Sequence, residues 1–272
     1  LTIENTTIEG TPKFINSAAN ANVYVDGALM VSNVEGLQAA LKDANVSSIL
    51  LGSNITVTEK WDNRNTGAKT SKPITIDGNG NTLKFACEVS DGFNYQAAFR
   101  FEAPAVVKNL TIDMSEVTGT GSWLRAISTK GDITVDNCTF IGSTNYTSGR
   151  GIAYGEGAGA AASDIVVSVT NSTFTNWTRR GLTDNENAQE AKEVTVTNNT
   201  FDNADCYVSA HDSITFTGNT MNNSAANFIT YSNATDATVV ATDNTLDANN
   251  DNNVIRGFVA TNVSSQEGFT IM

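Results

Sequence analysis

The stretch VTVTNNTF, residues 194–201, is one copy of an eight-residue phrase that recurs along the chain. Its columns are apolar, any, apolar, any, Asn-like, any, Thr and apolar. Repetition of this kind predicts a solenoid, in which each repeat stacks on its neighbours. A looser copy with two extra residues in its turn spans Ile74–Leu83. The other full copies begin at Leu1, Ala105, Ile133, Val167, Ile214 and Val239.

Each column of the phrase predicts local structure. Apolar residues at positions one and three alternate with period two, which is typical of a strand with one buried face. Position five holds Asn, Asp or Gly, the residue types that tolerate a positive φ, so we expect a left-handed bend there. The residues at position five are Asn5, Asn109, Asn137, Asn171, Asn198, Gly218 and Asp243.

The spacing between copies indicates which solenoid they form. From Ile112 onward, the last residues of successive copies are 28, 34, 27, 20 and 25 residues apart. Such uneven intervals suit the coils of a parallel β-helix, whose loops vary in length while strands and corners keep their register. A second strand of each coil is predicted at Phe99–Phe101, Leu124–Ile127, Gly151–Tyr154, Gly181–Asp184, Tyr207–Ala210, Phe228–Tyr231 and Ile255–Phe258.

A short helix is predicted to cap the N-terminal end of the solenoid. Residues 32–35, Ser-Asn-Val-Glu, have the pattern of a capping box, and apolar residues follow at helical spacing over Asn33–Ala44. Before it, Asp26-Gly27 predicts a hairpin turn. We therefore expect an all-β, single-stranded right-handed parallel β-helix over residues 31–272, with residues 1–30 as an N-terminal extension carrying one repeat-like strand.

From residue 31 onward the chain resembles the right-handed β-helices of the pectate-lyase-like superfamily. The resemblance rests on ILLGSNITVT (residues 49–58), ITIDGNGNTL (74–83) and the repeated VTNNTF phrases, as at residues 196–201. It implies the fold. Because the superfamily includes lyases, glycosidases, phage tailspikes, adhesins and inert surface domains, it does not by itself imply a function.

The catalytic signatures of the superfamily's enzymes do not match this chain. The resemblance to pectate lyases would imply clustered calcium ligands and an Arg base near Arg-x-Pro, but Pro12, Pro73 and Pro104 lack that context. Polygalacturonase-like members carry Gly-His-Gly, whereas His211 stands in Ala-His-Asp. The sequence therefore favours a domain without catalytic machinery of its own and leaves open a lyase with a looser Arg or Lys base.

The charge balance excludes two classes of partner. With 16 basic and 29 acidic residues the chain has a net charge of −13, whereas nucleic acids and anionic membranes need clustered positive charge. No apolar run approaches the roughly 18 residues that span a bilayer, so we expect no membrane insertion. The acidic, Asn- and Thr-rich composition suits a secreted or cell-surface protein, and we expect the chain to be a portion of a longer precursor.

Arginines form a pattern that stands out against the acidic background, because five of the seven fall in or beside the second strand of successive coils. Such a stripe could bind carboxylates or sulfates of an acidic polysaccharide, with Trp123, Tyr154 and Trp177 stacking on sugar rings. Alternatively, each Arg pairs with a neighbouring acidic residue, such as Glu102, Asp132 or Asp184, on a solvated surface. The five are Arg100, Arg125, Arg150, Arg179 and Arg180.

Proton transfer and metal binding are weaker hypotheses. In a lyase, an Arg or Lys base would abstract the proton α to a uronate carboxylate while another cation neutralises that carboxylate. The candidates are Arg125, Arg150, Lys130 and His211.

A calcium loop is suggested by alternating acidic and amide residues near the end of the chain. Asp247, Asn249 and Asp251 follow part of the calcium-loop pattern, but Asn252 and Phe258 occupy the places of its Gly and closing Glu. No other cofactor is expected.

Together these patterns predict an extracellular or cell-surface β-helix that contacts glycans or mediates adhesion. A polysaccharide lyase acting on a uronate polymer and an inert structural spacer are the alternatives. The phrase Leu1–Ile8 lies before the predicted cap. It either stacks within the chain or pairs end to end with another subunit by strand addition.

Overall fold

A computed structural model describes residues 2–4, 22–59, 69–89, 96–119, 124–146, 148–155, 164–184, 191–230, 238–247 and 254–259. Asn5, Trp123, Asn249 and Asp251 lie outside these ranges. The elements in chain order are β1 (Thr2–Ile3), β2 (Tyr24–Val25), β3 (Ala28–Val31), α1 (Val34–Lys42), β4 (Ser48–Leu51), β5 (Ile55–Val57), β6 (Lys69–Thr70), β7 (Ile74–Asp77), β8 (Thr82–Phe85), β9 (Gln96–Phe101), β10 (Ala105–Lys108), β11 (Thr111–Asp113), β12 (Leu124–Thr129), β13 (Ile133–Asp136), β14 (Thr139–Ile141), β15 (Arg150–Tyr154), β16 (Val166–Thr170), β17 (Thr173–Asp184), β18 (Ala191–Thr197), β19 (Thr200–Thr217), β20 (Thr220–Asn222), β21 (Ala225–Thr230), β22 (Thr238–Thr242), β23 (Thr245–Leu246) and β24 (Val254–Val259).

The first four positions of the phrase build one stack of parallel strands. Position one of each coil lies directly opposite position one of the next, although the loops between them differ in length. In the copies before β22 the side chains at positions one and three are buried and the intervening side chains face outward, as period-two alternation requires, whereas Val239 and Ala241 of β22 are only partly buried. The strands of this stack are β3, β4, β7, β10, β13, β16, β18, the last part of β19, and β22.

The last two positions of the phrase start a second stack, and the predicted second strands form a third. In the second stack, Thr at position seven pairs with Thr of the next coil along the whole series. The third stack contains β6, β9, β12, β15, the end of β17, the middle of β19, β21 and β24. Three stacked parallel strands per coil confirm the predicted all-β parallel β-helix.

The corner between the first two stacks is made by left-handed residues. Every described residue at position five has a positive φ: Asn109, Asn137, Asn171, Asn198, Gly218 and Asp243 lie between 51° and 69°. The looser copy bends at Asn79 and Gly80. A further left-handed series, which the phrase does not include, follows the second stack at Asn176, Asn203 and Asn223.

Helix α1 begins and ends close to the predicted bounds. Its N-cap is Asn33, whose side chain accepts a hydrogen bond from the Gly36 backbone N–H at 2.8 Å, so the cap lies one residue after the Ser32 that a capping box would use. Leu37 and Leu41 are buried against the first coils. Within the described ranges, no helix has the length and hydropathy that crossing a bilayer requires.

The strands before α1 extend the first stack, and they do not all run in the same direction. The Asp26-Gly27 turn has positive φ at both residues and joins β2 to β3 as an antiparallel hairpin, as predicted. Strand β1 pairs with β2 in parallel, so the start of the opening phrase pairs within its own chain but runs opposite to the coils. The predicted boundary between residues 30 and 31 falls inside β3.

The interior is filled by columns of like residues. Phe140, Phe174 and Phe201 stack with ring centroids 4.8 and 4.9 Å apart and nearly parallel planes. All three cysteines, Cys87, Cys138 and Cys206, are buried free thiols. Burial raises the pKa of the Cys138 thiol to about 12, so this thiol remains protonated at neutral pH.

Candidate functional site

Cationic side chains from three successive coils lie together where the strands β6, β9 and β12 of the third stack end. Lys69 on β6 lies opposite Arg100 on β9. The backbone N–H of Glu102 donates to Thr70 O at 2.9 Å, and that of Lys130 donates to Phe101 O at 2.8 Å. This ladder holds Lys69, Arg100 and Lys130 around Glu102, and we call the four residues the Glu102 cluster.

Glu102 bridges the three cations. Its Oε2 atom lies 3.0 Å from Lys69 Nζ, and its Oε1 atom lies 3.1 Å from Lys130 Nζ and 3.9 Å from Arg100 Nε. The Ser71 hydroxyl also donates to Oε2 at 2.9 Å. Three positive groups against one carboxylate leave a local charge of about +2 on a chain whose net charge is −13.

The carboxyl pKa reflects this environment. Partial burial alone would raise the pKa of Glu102, but hydrogen bonds from Lys69, Ser71 and Lys130 outweigh burial and lower it from 4.5 to about 2. Glu102 is therefore ionised at any pH near neutral. The Lys69 and Lys130 side chains remain 32% and 29% exposed, so a solvent-borne anion can reach both ammonium groups.

The predicted arginine stripe is only partly at the surface. Arg125 lies opposite Arg150, which lies opposite Arg180, so three arginines do share one register column. Ala97 occupies the next place in that column, and Arg100 lies opposite Ser128 instead. Arg125 and Arg150 are 0% and 1% exposed, so neither presents its charge to solvent in this structure.

Arg179 and Arg180 are partly exposed, one turn of the solenoid beyond Arg150. The Arg180 guanidinium lies 3.8 Å from the centroid of the Tyr207 ring and donates to Thr183 Oγ1 at 3.0 Å. Such cation–π stacking orders the guanidinium over the ring. Tyr207 was predicted as part of a strand but not as a site residue.

The predicted sugar-stacking aromatics that the structure describes are interior residues. Tyr154 is fully buried, and its hydroxyl donates to Ser209 O at 3.0 Å and accepts from Ser209 N at 2.8 Å. Trp177 is 2% exposed and donates from Nε1 to Phe140 O at 3.1 Å. Their rings fill the core, so they offer no face to a ligand at the surface.

The structure places the proton-transfer candidates in different environments. Lys130 belongs to the Glu102 cluster, whereas His211 is partly exposed on β19 with Nε2 3.3 Å from Asp212 Oδ1. Of the calcium candidates only Asp247 is described. Among the described residues, no three His, Cys, Asp or Glu side chains form a group that could hold a metal ion.

Sequence reasoning named Arg100 and Lys130 but missed Lys69 as a member of the cluster. Little in the sequence pointed to Lys69, because it belongs to a two-residue strand that lacks the phrase pattern. Glu102 was named as a possible partner for an Arg, and the structure adds that two lysines share it.

Comparison with known families gives one match, which covers 119 of the 272 residues. Residues 28–146 match the family described as a pectate lyase-like adhesive domain, and these residues include the whole Glu102 cluster. Comparisons with curated proteins and with solved structures gave no match. The adhesive-domain match indicates a role in adhesion or at the cell surface. The chain is thus a parallel β-helix, and its residues 28–146 are similar to the pectate lyase-like adhesive domains.

Proposed function

We propose that the chain is an extracellular or cell-surface adhesive module that binds an anionic glycan through Lys69, Arg100 and Lys130. The observation that carries the proposal is the Glu102 cluster, a partly exposed site of local charge about +2 on a strongly acidic chain. A uronate carboxylate or a sulfate ester has the charge and the acceptor oxygens that this site can bind.

The arrangement suits recognition because its cations are already held in place. Lys69, Arg100 and Lys130 come from three coils joined by backbone hydrogen bonds, and Glu102 restrains their side chains. Binding then costs less side-chain entropy than it would on flexible surface lysines. The three coils lie about 4.8 Å apart, so the cluster forms a row along which a linear polymer could lie.

Arg179 and Arg180 lie farther along the third stack and are partly exposed. Arg180 shares the register column of Arg125 and Arg150, which lies three residues from the column of Arg100, so a polymer would have to cross the third stack obliquely to contact both places. Arg125 and Arg150 lie between them but are buried, so we assign these two arginines no contact in the proposed complex.

The proposal is tested by calorimetric titration with pectate, alginate and a sulfated glycosaminoglycan. We expect Lys130→Gln and Arg100→Gln each to weaken binding of at least one polymer about tenfold, the loss expected for one charge-assisted hydrogen bond. Lys192→Gln is the matched control, because it removes the same charge from an exposed lysine paired with Glu193 on the first stack. Its affinity should equal that of the wild type.

The same samples distinguish the two alternative functions, a polysaccharide lyase and a structural spacer. An increase in the ultraviolet absorbance of unsaturated products, lost in Arg100→Gln or Lys130→Gln, would identify a polysaccharide lyase and replace the adhesive proposal. Neither binding nor turnover with any of these polymers would leave a structural spacer and contradict both functions. Equal binding by the cluster variants and the wild type would place any glycan contact elsewhere.

A further inference from the structure

The Glu102 carboxylate lies between the ammonium groups of Lys69 and Lys130 and contacts each of them through a different oxygen. Its Oε2 atom is 3.0 Å from Lys69 Nζ, and its Oε1 atom is 3.1 Å from Lys130 Nζ. The Glu102 side chain is 18% exposed, whereas the two lysine side chains are 32% and 29% exposed. An anion that arrives from solvent therefore reaches the ammonium groups more readily than the region of the carboxylate.

Each ammonium group keeps donors for such an anion. An ammonium group has three N–H donors, and each lysine directs one of them to Glu102. Within the described part of the chain, Glu102 is the one hydrogen-bond or ion-pair partner of both ammonium groups. A carboxylate or a sulfate ester has two oxygens with which to bridge the two lysines from outside, as Glu102 bridges them from inside.

Glu102 is held by several bonds that a ligand would have to break together in order to displace it. Besides the two lysine contacts, the Ser71 hydroxyl donates to Oε2 at 2.9 Å. Its backbone N–H donates to Thr70 O at 2.9 Å, which fixes the main chain from which the side chain extends. A ligand anion therefore binds beside Glu102 and lies about 5 Å from it, because both anions accept from the same ammonium groups at near-tetrahedral directions.

We propose that Glu102 limits the affinity of this site for anionic groups, an inference that rests on the proposed glycan-binding function. Its carboxylate positions the two ammonium groups, but it also repels the anionic group of the ligand across them. At about 5 Å and with the screening of a surface site, this repulsion lowers the affinity for one anionic group about threefold to tenfold. Each contact is therefore weak and is released readily.

Calorimetric titration of three variants with pectate and with dextran sulfate, at an ionic strength of about 0.05 M, tests this role. Glu102→Gln keeps the shape of the side chain without its charge and should bind about threefold more tightly than the wild type. Glu102→Asp keeps the charge and should show no gain. Glu116→Gln is the matched control, because it removes the same charge from another lysine-paired carboxylate, 2.6 Å from Lys84 Nζ, and it should bind as the wild type does. A gain with pectate alone identifies a carboxylate as the bound group, and a gain with dextran sulfate alone identifies a sulfate ester.

A measurement on the wild type makes the test independent of how well Glu102→Gln folds. Linkage is reciprocal, so if the charge of Glu102 weakens ligand binding, a bound ligand must raise the pKa of Glu102. Nuclear magnetic resonance of the Glu102 carboxyl carbon, titrated with and without bound dextran sulfate, measures this rise from the pKa of about 2 in the free protein. Dextran sulfate is used because its sulfate esters remain ionised throughout the titration.

Three outcomes would overturn the inference while leaving the proposed function in place. Equal or weaker binding by Glu102→Gln than by the wild type would show that Glu102 serves only to position the lysines. An equal gain in Glu116→Gln would indicate a general charge effect. An unchanged or lowered pKa of Glu102 in the complex would show that the ligand anion does not share its ammonium groups. By contrast, a wild type that binds none of the acidic polymers would contradict the proposed function itself.

Discussion

At the scale of single residues, the corner of each coil depends on an L-residue that tolerates a left-handed backbone. Asn198 has a φ of 57°, and its backbone N–H donates to Thr217 O at 2.9 Å. Asn tolerates a left-handed backbone better than Ala does, and Gly adopts it without strain.

We therefore predict that Asn198→Ala lowers the free energy of unfolding by about 1–2 kcal/mol. Asn198→Gly should lower it by clearly less, because Gly relieves the strain even though it has no side chain. Urea denaturation of both variants measures the difference. If Gly and Ala destabilise equally, backbone strain is not what fixes Asn at this corner.

An interior ladder of amides runs beside the same corner at position six of the phrase. Asn219 Oδ1 accepts from Asn199 N and Asn199 Nδ2 at 2.9 and 3.1 Å, and Asn219 Nδ2 donates to Val196 O and Asn244 Oδ1 at 2.9 and 3.1 Å. The side chain is fully buried. Two of its four bonds satisfy backbone groups of the preceding coil, and the other two join it to the Asn199 and Asn244 side chains of the neighbouring coils.

Removing this amide should lower the free energy of unfolding more than removing an outward polar group on the same coil does. Asn219→Ala leaves Val196 O and Asn199 N buried without their partner, so we expect a loss of about 2–4 kcal/mol in the free energy of unfolding. Thr220→Ala, at the adjacent outward position, should cost under about 1 kcal/mol. Similar losses in chemical denaturation would show that the ladder contributes no more than a surface hydroxyl.

Glu102 gives the site a pH signature. Its pKa falls from 4.5 to about 2 on folding, so its ion pairs contribute stability that is fully present above pH 4.5 and lost as the pH falls towards 2. We predict that Glu102→Gln destabilises the fold by about 2–3 kcal/mol at neutral pH and that this difference disappears near pH 2. Thermal unfolding across this pH range measures it, and a difference that is constant with pH would contradict the assignment.

At the scale of elements, Lys72 connects the capping helix to the first coils by hydrogen bonds. Lys72 Nζ donates to the backbone carbonyls of Ala40, Asp43 and Val46 at the C-terminal end of α1 and just beyond it. Ala40 lies in the last turn of α1, whose carbonyls have no intrahelical partners, and Asp43 and Val46 follow the helix. Burial lowers the pKa of Lys72, and the nearby Asp43 charge offsets part of that shift.

Lys72→Met should therefore loosen the cap, with a loss of about 1–3 kcal/mol in the free energy of unfolding. Lys42→Met is the matched control, because Lys42 is exposed in the last turn of the same helix. It should cost under about 1 kcal/mol. Hydrogen exchange of the α1 amides would locate the effect, and unchanged protection in Lys72→Met would contradict it.

The elements could be predicted from the sequence wherever side-chain type alone determines local structure. Period-two apolar residues located the strands of each coil, and Asn, Asp or Gly at position five located the corners. The direction of β1 could not be predicted, because Leu1–Ile8 matches the phrase and only its pairing with β2 shows that it runs backwards. The phrase defines a strand and a bend, but not the neighbour on which they stack.

The site was less predictable than the fold for a related reason. Arg100 and Arg125 are each the second residue of their predicted strands, yet they lie three places apart in register, and one is partly exposed while the other is buried. Loop length sets that register, and the sequence pattern does not report it. Lys69 joins Arg100 through the pairing of β6 with β9, which the repeat does not include.

At the scale of the whole molecule, the candidate binding site occupies one region of the solenoid. The Glu102 cluster lies on the side of the rod, near its capped end, and gathers positive charge on an otherwise acidic chain.

The salt dependence of glycan binding tests the assignment of the adhesive contact to the Glu102 cluster most directly. Titration of the best-bound acidic polysaccharide at ionic strengths of about 0.05 M and about 0.5 M should show binding by the wild type and Lys192→Gln that weakens strongly as salt screens the charges. The triple variant Lys69→Gln/Arg100→Gln/Lys130→Gln should bind weakly at both. If the triple variant keeps the affinity and the salt dependence of the wild type, the cluster is not the adhesive site.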